Sequence, residues 1–79
     1  MELWVRSQSK GTLCRVEVLY IGKDTNKIFS DKLISGVSVG FCLGEYKTKE
    51  RALEVLDEIQ GILIDYSQMS RVVYQMPEE

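Results

Sequence analysis

Thr48-Lys49-Glu50-Arg51-Ala52-Leu53-Glu54-Val55-Leu56-Asp57-Glu58-Ile59-Gln60-Gly61-Ile62-Leu63-Ile64-Asp65 is the stretch on which the fold turns. Its apolar positions Ala52, Val55, Leu56, Ile59, Ile62 and Leu63, continued by Tyr66, recur at i, i+3 and i+4 and so fall on one stripe of a helix. Thr48 has the short hydroxyl side chain that satisfies free N–H groups at a helix start, which predicts a helix from Lys49 to about Asp65. Glu50, Glu54, Asp57 and Glu58 occupy its outer surface, and Gly61 weakens the last turns by about 1 kcal/mol relative to alanine.

Outward from this helix the pattern changes to period two. Glu2–Gln8 sets Leu3, Val5 and Ser7 against Trp4, Arg6 and Gln8, and Ser9-Lys10-Gly11 then reads as a turn. Thr12–Gly22 reads as one long strand, with Cys14, Val16, Val18 and Tyr20 opposite Leu13, Arg15, Glu17, Leu19 and Ile21. Lys23-Asp24-Thr25-Asn26 is a polar turn, Lys27–Ser30 a short strand, and Asp31–Gly36 a loop. Val37–Leu43 alternates again, with small Ser38, Gly40 and Cys42 on one face, and Gly44 closes it. Ser70–Met76 is a final strand, followed by the acidic tail Pro77-Glu78-Glu79. The expected fold is α+β, a single domain over residues 1–79. Four to five antiparallel strands form one sheet with the helix across one face, in the order β-β-β-β-α-β.

Composition narrows function more by exclusion than by assignment. A chain of 79 residues buries only about 60–65% of its unfolded surface, which leaves little room for an enclosed cleft. With 44% hydrophobic and 28% charged residues, no 18-residue apolar run and no signal-peptide pattern, the expectation is a cytoplasmic globular protein without a membrane partner. A net charge of −2 argues against direct DNA or RNA binding. The sequence has no histidine, no Gly-rich phosphate loop and no metal-ligand spacing, so no enzyme activity, catalytic residue, metal or cofactor is expected. Cys14 and Cys42 sit in apolar stretches and read as reduced thiols that pack as small hydrophobes, with a disulfide as the alternative if their two strands are neighbours.

Two surfaces remain as candidates. With Leu3 and Val5 facing the helix, Trp4, Arg6 and Gln8 project from the uncovered sheet face, supplying stacking area, a guanidinium fork and an adaptable amide. The same logic adds Arg15, Glu17, Leu19 and Ile21 to that face, an apolar patch that a second copy or a partner protein would cover. In the competing reading, the Asp31–Gly36 loop folds Leu33 and Ile34 over the face as a lid. The second surface is the strand-to-helix junction, where Tyr46, Lys47 and Arg51 gather around a helix N-terminus able to hold an anion. Charge is unevenly divided: residues 1–50 carry eight Lys/Arg against six Asp/Glu, and residues 51–79 carry two against six.

The opening Leu3-Trp4-Val5-Arg6-Ser7-Gln8, the step Leu43-Gly44-Glu45-Tyr46, the helix segment Glu50–Gln60 and the ending Tyr74–Glu79 resemble a group of short, uncharacterised proteins of Gram-positive bacteria, their prophages and phages. Residues 22 to 36 lie outside the resemblance. It implies a setting, since small phage-encoded proteins often act as inhibitors or decoys against host defence or regulation. Within that setting two expectations follow. One is a homo-oligomeric sponge that captures a nucleotide-derived immune signal between copies, with Trp4 and Tyr46 stacking on bases and Arg6, Arg15, Lys47 and Arg51 pairing with phosphates. The other is a protein-interaction module that blocks a host protein through the open sheet face or the acidic helix.

Overall fold

The computed structural model describes residues 2–79, folded as an α+β protein with two three-stranded sheets and one helix. The elements are β1 (Glu2–Arg6), β2 (Leu13–Val16), β3 (Tyr20–Ile21), β4 (Lys27–Ile34), β5 (Val37–Glu45), α1 (Lys49–Asp65) and β6 (Arg71–Gln75). The helix has the expected limits, and Thr48 caps it in an extended conformation, its Oγ1 accepting from the Arg51 N–H at 3.1 Å.

The strands are grouped differently from the single antiparallel sheet expected. One sheet runs β2-β1-β6 and the other β3-β4-β5. β6 lies parallel to β1, with Trp4 level with Val73 and Val5 with Tyr74, because the chain between them supplies the long crossover that a parallel pair needs. The long strand expected over Thr12–Gly22 is broken. The chain bends at Glu17–Leu19 and passes from the first sheet to the second. That bend resets the alternation. Cys14 and Val16 point inward before it, Leu19 and Ile21 pack on the core after it, and Val18 and Tyr20 are exposed. The expected outward patch of Leu19 and Ile21 beside Trp4 therefore does not form.

Asp31–Gly36 is not the loop expected. β4 continues to Ile34 and closes on β5 through Ser35 (φ 52°) and Gly36 (φ 81°), two consecutive left-handed residues that match the twist of a two-residue hairpin. There is accordingly no lid: Leu33 is 72% exposed on a projecting hairpin. The turn at Lys23–Asn26 forms as expected, and Gly22 is required beside it because a Cβ there would sit 2.6 Å from the Phe29 ring.

One core joins the layers. Ala52, Val55 and Ile59 of α1 meet Leu3, Val5 and Tyr74 of the first sheet and Ile28 and Leu43 of the second, with Tyr46 and Met76 closing the ends. The Tyr74 hydroxyl is buried without a hydrogen-bond partner among the described residues, and burial, reinforced by the charge of Glu58, holds the phenol well above its ordinary value of 10.0. The folded chain thus retains a proton that the unfolded chain releases, so the shift leaves stability unchanged below pH 10 and lowers it as pH rises beyond that value. Tyr74→Phe removes the unsatisfied hydroxyl at nearly constant shape. It is expected to raise stability by about 1 kcal/mol, about 4–8 °C in Tm, and to flatten the alkaline loss in a series of melts above pH 9.

Candidate functional site

The outer face of the β2-β1-β6 sheet is built by three registers. Arg6 lies between Leu13 and Gln75, Trp4 between Arg15 and Val73, and Glu2 beside Arg71. Leu3, Val5, Cys14, Val16, Val72 and Tyr74 take the opposite face and pack on the core. Alternation therefore commits Trp4 to the side that the helix leaves uncovered. Val73 (63% exposed) lies directly beside it and Leu13 (55%) diagonally across, opposite Arg6, both as exposed apolar groups.

Glu2 organises this face. Its carboxylate accepts from Arg71 Nε at 2.9 Å and from Trp4 Nε1 at 3.3 Å, and lies 3.7 Å from Arg15 Nη1. The hydrogen bonds from Arg71 and then Trp4, with the charges of Arg71 and Arg15, hold its carboxyl below the usual range. Such exposed pairs add little stability. What they do is fix the indole, so less side-chain freedom remains to be lost on binding. Arg6 donates through Nε to the Lys10 carbonyl at 3.0 Å, and Arg15 also meets Glu17 at 3.4 Å. Three guanidinium groups against Glu2 and Glu17 leave the face weakly positive. Arg71 and Val73 also line a groove of about 360 Å³ with Ile62, Tyr66, Met69 and Val72, extending the apolar area toward the helix C-terminus.

The other expected residues are placed elsewhere. Tyr46 is 4% exposed. Gly44 admits its ring, since a Cβ at Gly44 would sit 3.1 Å from the Tyr46 hydroxyl, and that hydroxyl donates to the Pro77 carbonyl at 2.9 Å. Its ring is a core element rather than a free stacking platform, with the Arg51 guanidinium 5.9 Å from its centroid and burial raising the phenol. Arg51 donates from Nε and Nη2 to the Glu79 backbone oxygen at 3.0 and 2.8 Å. The surrounding pocket of about 450 Å³ is lined by Lys47 and Arg51 but also by Glu45, Glu78 and Glu79, an excess of carboxylates that opposes a phosphate. Gln8 is fully occupied as a brace: its amide donates to the Glu45 and Glu78 carbonyls at 2.9 and 2.6 Å and accepts from the Glu45 N–H at 2.8 Å. Gln8→Ala unties these ends and is expected to cost about 1–2 kcal/mol, read as a fall in Tm of about 4–8 °C per kcal/mol.

The structure thus brings Trp4, Arg6 and Arg15 together on one face and sets Gln8, Tyr46, Lys47 and Arg51 apart from them as a largely structural junction. It adds Glu2, Leu13, Arg71 and Val73, whose place beside Trp4 depends on the parallel pairing of the two terminal strands. Both cysteines are free, Cys14 half-buried and Cys42 exposed. Among the described residues no helix is long and apolar enough to cross a membrane. In comparisons with known proteins, no family model, no curated protein and no solved structure matches the chain.

Proposed function

We propose that the chain is a binding module that docks a partner protein through the outer face of the β2-β1-β6 sheet. The observation that carries this reading is Trp4: a half-buried aromatic in the central strand of a sheet face that the helix leaves uncovered, held by Glu2, with exposed Val73 beside it and exposed Leu13 diagonally across, opposite Arg6. Tryptophan and arginine are the residues that most often anchor protein interfaces, and a rim of paired charges sets orientation more than affinity. Arg6, Arg15 and Arg71 supply that rim, which suits an apolar partner surface with an acidic margin. In the phage-type setting that the resemblance implies, such a module acts as an inhibitor of a host defence or regulatory protein.

Capture of a nucleotide-derived signal is the weaker reading, because the Tyr46 ring lies in the core and Arg51 is already engaged by Glu79. The test compares wild type and Trp4→Ala as bait in host lysate, alongside thermal shift with a panel of cyclic oligonucleotides and ADP-ribose derivatives. A stoichiometric protein that survives moderate salt and depends on Trp4, with no nucleotide stabilisation, is the expected result. Stabilisation by a nucleotide and no Trp4-dependent protein would overturn it.

A further inference from the structure

β5 is a nine-residue edge strand hydrogen-bonded along one side to β4. Gln8 occupies the lower part of its other side, its N–H donating to the Leu43 carbonyl at 2.7 Å and its side-chain oxygen accepting from the Glu45 N–H. Above that point the edge has no backbone partner among the described residues. Val37-Ser38-Val39-Gly40-Phe41-Cys42 contains no charge and no proline, the two features that usually keep an edge strand from adding another strand. The ribbon that carries it also projects from the body: from Asp31 to Gly40 every residue except Val39 is exposed. A two-stranded ribbon on its own is marginal in water, and a third strand is what stabilises one.

We propose that this edge pairs with the same edge of a second copy, β5 to β5 and antiparallel, about a two-fold axis through Gly40. The identity of the partner follows from self-complementarity. The hairpin closes on Ile34 and Val37, so ladder alternation turns the backbone groups of Val37, Val39 and Phe41 toward β4 and those of Ser38, Gly40 and Cys42 outward. A two-fold axis at Gly40 then sets Ser38 opposite Cys42 of the second copy and Gly40 opposite its own counterpart as hydrogen-bonded pairs. Val39 falls opposite Phe41 on the other face. Small residues meet small, apolar meet apolar, and no charge faces another charge, conditions that one uncharged segment meets with itself under two-fold symmetry. The two sheets become one sheet of order β3-β4-β5-β5-β4-β3. This surface lies on a different sheet from Trp4, so dimer formation and partner binding can be tested and lost separately.

The experiment is light scattering across a concentration series, combined with oxidative cross-linking. The wild type is expected to approach twice the chain mass as concentration rises. Ser38→Pro removes only an outward donor, and Ser38→Lys leaves the backbone intact while placing charge on the edge; both are expected to remain monomeric and folded by circular dichroism. Ser38→Cys in a Cys14→Ser background is expected to give a disulfide dimer through the native Cys42, since facing residues of a hydrogen-bonded pair lie about 5.5 Å apart at Cα, within disulfide reach. The dimer bond is expected to vanish when Cys42→Ser is added. A wild type that stays monomeric at every concentration overturns the proposal. So does a dimer that Ser38→Lys leaves intact and that Ser38→Cys does not cross-link, or a β5 edge that pairs only with another protein's segment.

Discussion

Trp4→Ala is expected to weaken partner capture by about 30-fold to about 1000-fold, the equivalent of about 2–4 kcal/mol for an interface anchor, while moving Tm by no more than a few degrees. The two halves of this prediction have separate causes. Binding suffers because the half-exposed indole is the largest apolar group on the uncovered face and its orientation is set in advance by the Glu2 carboxylate. Folding is spared because Leu3 and Val5, the neighbours of Trp4 in β1, carry the inward contacts. Trp4→Phe keeps part of the apolar area but loses the bond to Glu2, so an intermediate loss is expected. Charge reversal at Arg15 is expected to act mainly on the association rate and its salt dependence, as rim charges do. Capture by Trp4→Ala equal to wild type would remove the sheet face from the binding account.

Ile28→Ala carries the largest expected effect on stability. Ile28 is fully buried where β4 passes the helix, and its cross-strand neighbours are Ile21 on one side and Gly44 on the other. Gly44 has no side chain to close over a gap, so truncation leaves a cavity between the second sheet and α1. Such changes cost about 2–5 kcal/mol, against a total of about 4–12 kcal/mol for a chain of 79 residues. Urea unfolding is expected to show a midpoint displaced by that loss with an unchanged slope, and Tm is expected to fall by at least about 10 °C. A loss below about 0.5 kcal/mol, the scale of an ordinary surface substitution, would mean that the second sheet is not anchored through this residue.

How much was legible beforehand differed by segment, for physical reasons. The helix was readable because seven apolar residues keep one phase and Thr48 marks its start. The alternation of β1 was readable, but not which set meets the helix, because apolar Trp4 shares its face with Arg6 and Gln8; the structure buries Leu3 and Val5. Between Leu13 and Ile21 both phases carry apolar residues, and the charges Arg15 and Glu17 lie no further along than the start of the bend, so period two cannot reveal the turn at Glu17–Leu19 that exchanges inside for outside. Asp31 and Lys32 made β4 resemble a loop. In the folded chain the Asp31 carboxylate accepts from the Tyr20 hydroxyl at 2.8 Å, and Tyr20 in turn stacks on Phe29, which accommodates the charge on a strand. The pairing of β1 with β6 joins residues about seventy positions apart and leaves no local trace. For the same reason Trp4, Arg6 and Arg15 could be grouped from alternation, whereas Arg71 and Val73 could not. Tyr46 misled because its burial depends on the missing side chain of Gly44 and on the carbonyl of Pro77, neither of which marks it as a core residue.

Trp4 is the single tryptophan of the chain, so its fluorescence reports on the proposed surface and nothing else. Acrylamide quenching of that emission, measured for the protein alone and for its complex with a captured tryptophan-free partner or partner fragment, addresses the central claim most directly. Partial quenching of the half-buried indole in the free protein and markedly less in the complex is the predicted result. An indole already shielded in the free, dilute protein, or one equally quenched in both states, would contradict it.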